Sequence, residues 1–270
     1  MTPTEPLRQP EYLATQQYVD GRNLGARSNL HDRYGTAPVP FRVWEAQLVT
    51  WFDGAEVLEV GTGPGRFWTT DAVPRSTHLT VTDLSPGMVR QATTDLAPAG
   101  YASVCGVVCD AQSLPFDAAR FDLLVANHML YHVPDPPRAL AEFRRVLRPG
   151  GTALIATNAP GHMRQLNEVI AEVLGHAPSG LNGVFGIDNG ELMLRDHFGG
   201  ISWHSFTNPL VVDDADDLAA YAGSLPPAST ASPSQRADLS SAFRDRVAAE
   251  GGRMRIDTRT GAFVCTGRPS

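Results

Sequence analysis

The sequence predicts an α/β fold: a parallel sheet covered by helices on both faces. Two observations carry this. From residue 55 onward, short runs of continuous apolar residues alternate with helix-length segments, as strands buried on both faces require. The first run empties into glycines at alternate positions, Gly61, Gly63 and Gly65, where the absence of a Cβ lets the backbone turn sharply against a ligand. With 270 residues, 42% of them hydrophobic and 19% charged, the chain can bury one large domain with insertions or two small ones, and no abrupt shift in composition forces two.

In order along the chain, residues 1–10 carry three prolines and read as a loose lead-in. Residues 11–34 mix polar and aromatic side chains, with short helices joined at Gly21 and Gly25. Such a segment suits a lid over a site, or a plain helix covering a core edge. Residues 39–52 place Phe41, Trp44, Leu48, Trp51 and Phe52 at helical spacing, which predicts a helix with its aromatics in the core. Strands are expected over 55–60, 78–82, 103–108, 121–126 and 152–157. Helices are expected over 65–73, 86–96 with Pro86 in its favoured first turn, and 137–147. Beyond residue 158 the pattern predicts a helix over 162–174, a glycine-rich loop over 177–190, a helix over 191–198 and a strand over 201–212. The run Asp213, Asp214, Asp216 and Asp217 lacks calcium-loop spacing and fits the N-terminus of a helix over 218–225. A loop over 226–234, a surface helix over 234–251 and a hairpin of 253–256 with 262–266 close the chain. The expected division is an N-terminal lid segment, 1–40, and a main domain, 41–270, with a pocket-roof insertion at about 158–200.

In open parallel sheets the ligand lies outside the carboxyl ends of the strands. Gly61, Asp83, Asp110 and Asn127 each sit just past an expected strand and so share one edge. Composition narrows the ligand. Net charge is −7 and all 22 basic residues are arginine, which argues against nucleic acid and removes Schiff-base and phosphate-loop lysine chemistry. Cys105, Cys109 and Cys265 show no CxxC spacing and fit reduced thiols. With no apolar leader in residues 1–10 and no run of about 18 apolar residues, a cytoplasmic protein without membrane contact is expected.

Which cofactor the turn takes depends on its spacing. A dinucleotide site needs a third glycine where this chain has Arg66. Present instead is Glu59-x-Gly61-x-Gly63-x-Gly65, which resembles motif I of the class I S-adenosylmethionine-dependent methyltransferases. The resemblance runs through residues 55–157. Leu114-Pro115-Phe116 with Phe121-Asp122, the run His128 to Asp135, and Val146 to Gly151 are similar to the small-molecule branch that includes the ubiquinone and menaquinone biosynthesis methyltransferases. It implies a Rossmann-like, seven-stranded, mostly parallel sheet with an antiparallel last strand, helices on both faces and an N-terminal helical lid. It also implies S-adenosyl-L-methionine as cofactor, with S-adenosyl-L-homocysteine as product. Asp83 would accept hydrogen bonds from the ribose diol. Leu84 and Met88 would face the adenine, Asp110, Ala111 and Gln112 would lie beside its amine, and Asn127 and His128 would lie near the methionine end. Glu59, Gly61, Thr62, Gly63 and Gly65 would form the turn, Tyr18 a lid residue over the cofactor, and Arg27 the fork for its carboxylate.

For catalysis the candidates are His128 and His132. Their spacing of four is without the glutamate of a helical zinc motif, so no metal is expected. Metal-free transfer needs a base only when the nucleophile starts protonated. Expected pocket residues are His31, Tyr34, Tyr131, Asn158 and Phe185, with Met193, Leu194 and Phe198 as further candidates and Trp203 in the core. The acceptor is expected to be a small molecule, quite apart from any nucleic acid or membrane, and the protein a monomer or homodimer in specialised metabolism. Two alternatives stay open: a non-catalytic S-adenosylmethionine-binding sensor or partner protein, and an NAD-dependent oxidoreductase on a similar fold.

Overall fold

The computed structural model describes residues 6–178 and 181–267; the first half of the proline-bearing lead-in and residues 179–180 of the glycine-rich loop lie outside them. Its strands are β1 Glu56–Val60, β2 His78–Asp83, β3 Ser103–Val108, β4 Phe121–Asn127, β5 Leu147–Asn158, β6 Gly200–Phe206, β7 Leu210–Val212, β8 Met254–Ile256 and β9 Thr260–Thr266. Its helices are α1 Pro10–Tyr12, α2 Arg22–Tyr34, α3 Phe41–Ala46, α4 Pro86–Leu96, α5 Pro136–Val146, α6 Arg164–Leu174, α7 Ile187–Arg195, α8 Ala215–Gly223 and α9 Pro233–Ala249.

Seven strands form one sheet in the order β3-β2-β1-β4-β5-β9-β6. β1 to β5 pair in parallel, and β9 runs antiparallel between β5 and β6. The mostly parallel seven-stranded sheet with an antiparallel last strand is therefore present. Local sequence sets the helix starts: the Ser85 hydroxyl accepts from the Met88 N–H ahead of α4, and the Asp135 carboxylate accepts from the Arg138 N–H ahead of α5. Asp214 caps α8 in the same way, which accounts for the acidic run.

Because alternate residues of a strand face opposite ways, the sheet builds two cores. Leu58, Leu124 and Ile155 meet Phe143 of α5 and Leu194 of α7 on one face; Val57, Val125 and Leu154 meet Trp68 and Leu96 on the other. A third core stands beyond the carboxyl ends of the strands. It joins Leu30 of α2, Ile170 of α6, Leu218 of α8, Phe243 of α9 and Met254 of β8. All five are fully buried, and each such side chain contributes about 1.5–3 kcal/mol. The third core roofs the edge where the ligand is expected.

Several expected elements came out differently. The break at Gly25 is absent, since α2 runs through it from Arg22 to Tyr34. The strand over 201–212 is two, because Asn208-Pro209 interrupts it and Pro209 has no N–H for a ladder; β6 stays in the main sheet while β7 pairs with β8. The closing hairpin is absent as well: β8 pairs with β7, and β9 with β5 and β6. The helix over 65–73 is a short 3-10 turn, Arg66–Thr69, and the helix over 39–52 stops at Ala46, leaving Phe52 51% exposed. Among the described residues no helix is long and apolar enough to cross a membrane.

Candidate active site

The glycine turn leaves β1 with Gly61, Gly63 and Gly65 at φ of +72°, +53° and +76°, a region L side chains rarely enter. A Cβ on Gly61 would stand 2.7 Å from Cβ of Met129, so the turn and the loop after β4 approach as closely as backbone allows. Behind the turn, the buried Glu59 carboxyl accepts from the Thr62 hydroxyl and, at 2.6 Å, from the Trp68 indole N–H. Burial raises its pKa to about 7 against the pull of those two bonds, with the Asp83 charge adding to the rise. Asp83, at the end of β2, accepts from the Gly63 N–H at 2.9 Å and the Ser85 N–H at 2.8 Å. Its pKa too is raised by burial, with the backbone bonds acting the other way.

A cavity of about 620 Å³ runs from this turn to the roof. Asp83, Leu84, Met88, Asp110 and Ala111 line its β2–β3 end; Asn127, His128 and Asn158 line it at the ends of β4 and β5. His128 is held at φ +53°, a conformation uncommon outside glycine. In the cavity wall, Tyr18 donates to His132 Nε2 at 3.0 Å, and His132 Nδ1 donates to the Leu7 carbonyl at 2.9 Å. The Arg27 guanidinium lies against the Tyr18 ring, and both terminal nitrogens reach its hydroxyl at 3.4 Å. Burial works against the Arg27 charge, but the phenols of Tyr18, Tyr221 and Tyr131 outweigh it and raise the pKa. No carboxylate pairs with Arg27 among the described residues.

Further along, His31 stacks on His162 with ring centroids 6.0 Å apart and planes within 13°. Burial depresses His31, His128 and His132 to about 4 and takes His162 well below its ordinary value, so all four imidazoles are neutral near pH 7. His31 and His128 each reinforce the depression of a neighbour in this group. The histidines and the buried carboxyls therefore pull stability in opposite directions with pH. An unfolded histidine takes its proton near 6.5 and a folded one near 4, so that contribution is lost as pH falls through this window. A carboxyl raised like Glu59 loses its contribution as pH rises from about 4.5 to 7. Glu59→Gln removes one opposing group, so the stability of the variant should climb more steeply between pH 5 and 6.5, by about 1.4 kcal/mol per pH unit. Urea denaturation of both proteins at four pH values measures the slope, and parallel profiles would contradict it.

Several expected residues lie off the cavity. Tyr34 is buried in the third core with its hydroxyl on Asp217, and Phe185 is fully buried under the sheet beside Phe263. Met193, Leu194 and Phe198 pack in that same core, as does Trp203. Gly65 packs the turn on α4, where a Cβ would meet Ala92 and Leu96 at 3.2 Å, and Gln112 hydrogen-bonds Asp110 from outside the wall. The remaining expected residues all line the cavity. Missed by sequence reasoning were Phe41, His162, Phe206 and Tyr221, which also line it, and Glu45, whose buried carboxyl accepts from the Asn127 amide at 3.0 Å. Phe41 had the signature of a core aromatic. The others lie in segments whose approach to the sheet edge no local pattern announces.

These groups fit S-adenosylmethionine: a carboxylate beside a glycine cradle that a Cβ would fill, a buried guanidinium with no carboxylate of its own, and Asn127 Oδ1 buried without a partner. Residues 58–155 match the family model described as a methyltransferase domain. The chain is 32% identical over 169 residues to the ubiquinone/menaquinone biosynthesis C-methyltransferase UbiE of Paracoccus denitrificans, covering 57% of this chain and 67% of that protein. It is 38% identical over 117 residues to a malonyl-[acyl-carrier protein] O-methyltransferase of Pseudescherichia vulneris, covering 42% of this chain and 43% of the relative, so that match spans less than half the relative's length. The crystal structure of a putative methyltransferase from Bacillus halodurans superposes with a TM-score of 0.62 at 19% identity, over 85% of this chain and 99% of the other, and shares the fold. With the sheet order, the glycine turn and these likenesses together, the chain belongs to the class I S-adenosylmethionine-dependent methyltransferases.

Proposed function

We propose that the chain transfers a methyl group from S-adenosylmethionine to a small organic acceptor. One observation carries the reading: the glycine turn and the ring-lined space under the roof share one continuous cavity, so donor and acceptor can be enclosed together. In this proposal Asp83 takes the ribose hydroxyls, Leu84, Met88, Asp110 and Ala111 surround the adenine, and Arg27 takes the cofactor carboxylate with Tyr18 and His132 bracing it. The bound cofactor supplies an electrophilic methyl group on a sulfonium. The chain's own part is to align the acceptor and keep water out, and orientation of this kind lowers barriers by up to about 7–11 kcal/mol.

His128 is the proposed base. Both nitrogens of His132 are already engaged, by Tyr18 and Leu7, whereas those of His128 have no partner among the described residues. With its pKa near 4, His128 is unprotonated across neutral pH, so turnover should show no limb near 6.5 from this residue. His128→Asn keeps a residue tolerant of positive φ, and should cut turnover about a hundredfold while leaving S-adenosylhomocysteine affinity within about twofold.

A free small molecule suits an acidic chain, net charge −7, whose acceptor space is internal. The roof helices α2, α6, α8 and α9 fall outside residues 58–155, which supports an acceptor of this chain's own. A role in specialised metabolism, in the cytoplasm and as a monomer or homodimer, is part of the same proposal. Residues 1–40 act as lid and 41–270 as catalytic domain, with residues 158–200 lending α6 to the roof. The test is incubation with S-adenosylmethionine and an acceptor panel, read by mass spectrometry as the gain of one CH₂. Calorimetry with S-adenosylhomocysteine and with NAD accompanies it, and binding of NAD alone would overturn the proposal.

A further inference from the structure

The inner face of α2 measures out the cavity. Leu24, Arg27, Ser28 and His31 all line it, and Leu24 sits at the glycine turn, its Cδ1 3.1 Å from where a Gly63 Cβ would stand. At 1.5 Å per residue, His31 lies about 10 Å farther along the helix, beyond the donor turn. There rings converge from separate elements. His31 stacks on His162 and stands edge-on to Tyr221 of α8 at 6.3 Å. Phe41 of α3 packs on His128 at 5.5 Å and on Phe206, at the end of β6, at 5.3 Å.

The polar groups among these rings are uncharged and of defined role. The Arg259 backbone N–H donates to His162 Nδ1 at 3.1 Å, which places the His162 proton on Nε2 and makes that atom a donor. His31 and His128 have ring nitrogens without partners among the described residues. The carboxylate whose charge His31 feels is Asp32, and Asp32 is committed to Arg42 and Arg66. With Arg27 given to the cofactor carboxylate, and Arg42 and Arg66 both held by Asp32, a carboxylate-bearing acceptor would find no uncommitted cation beside these rings among the described residues, and an ammonium would find Asp32 already paired. A flat, uncharged ligand with an O–H group finds aromatic faces, one fixed donor and two acceptors.

We propose that this His31–His128–His162 cluster is the acceptor site and that the acceptor is a phenol or an enol of similar shape. The inference rests on the methyltransferase reading above. His162 Nε2–H donates to the acceptor oxygen and the His128 ring nitrogen accepts its proton. The oxygen forms the new bond to the methyl carbon, the sulfur–carbon bond breaks with its electron pair left on sulfur, and the proton ends on His128.

The test uses the whole chain with S-adenosylmethionine and a matched panel of phenols, benzoates and benzylamines, read by mass spectrometry. Calorimetric titration of 4-nitrophenol into the S-adenosylhomocysteine complex accompanies it. Methylation confined to phenols is expected, with His162→Phe weakening 4-nitrophenol binding about tenfold at unchanged S-adenosylhomocysteine affinity, the loss of one hydrogen bond with the stack kept. His162→Gln provides a second variant should the first fail to fold. Methyl transfer to benzoates or benzylamines, no transfer to any phenol, or equal loss of both affinities would overturn the inference while the donor site stands. Failure of the wild type to bind S-adenosylhomocysteine would instead overturn the donor reading, and this one with it.

Discussion

Asp83→Ala should weaken S-adenosylhomocysteine binding by about a hundredfold or more in calorimetry, with the protein still folded. Hydrogen bonds to an ionised group are each worth about 1.5–3 kcal/mol, and a vicinal diol makes two. The carboxylate also holds the cradle, since Gly63 and Ser85 both donate to it. Removing it leaves two inward-pointing N–H groups without acceptors as well as the diol unmet. Asp83→Asn would not rescue, because an amide NH₂ must then face one of the two backbone donors. A loss of tenfold or more is expected for Asn as well. Unchanged affinity in Asp83→Ala would place the ribose elsewhere.

The second large effect is on the fold. Gly61→Ala should lower unfolding free energy by about 2–5 kcal/mol in urea denaturation. About 1–2 kcal/mol comes from forcing an L side chain into the left-handed region at φ +72°, and about 1–3 from overpacking against Met129 at 2.7 Å. Gly54 separates the two causes, since its φ is +74° and nothing lies within 4 Å of a Cβ there. Gly54→Ala should therefore lose only the backbone part. Met129→Ala should not relieve Gly61→Ala, because the close atom is the Met129 Cβ itself. Equal losses at Gly54 and Gly61 would mean that the turn yields to the added carbon.

The sheet was legible because its strands are continuous apolar runs, and the donor site because its residues sit at strand ends, where period and position coincide. The third core was not. The buried residues of α9, Leu239, Phe243 and Val247, recur every four residues and announce a helix, but nothing local says that it packs with α6 and α8. β7 and β8 have three residues each, too few for an alternation to show. Tyr34 and Glu45 show two limits of local pattern. An aromatic in a polar helix suggested a pocket wall and proved to be core, its hydroxyl satisfied by Asp217. Glu45 drew no reading at all, since nothing in a single helical glutamate announces that it is fully buried and held by Asn127.

Phe206 at the end of β6 pairs directly with Thr260 at the start of β9. Everything between them, α8 and α9 included, is topologically the loop of one long antiparallel hairpin. Its two ends stand a single strand spacing apart, about 5 Å, whatever the loop contains. Loop-closure entropy grows only as the logarithm of length, so residues 207–259 cost the sheet about as little to close as a much shorter excursion would. The α8–α9 part of the roof can therefore change in length between Phe206 and Thr260 while the strand ends that hold the methyl donor keep their register, provided that it still covers Leu30 of α2 and Ile170 of α6.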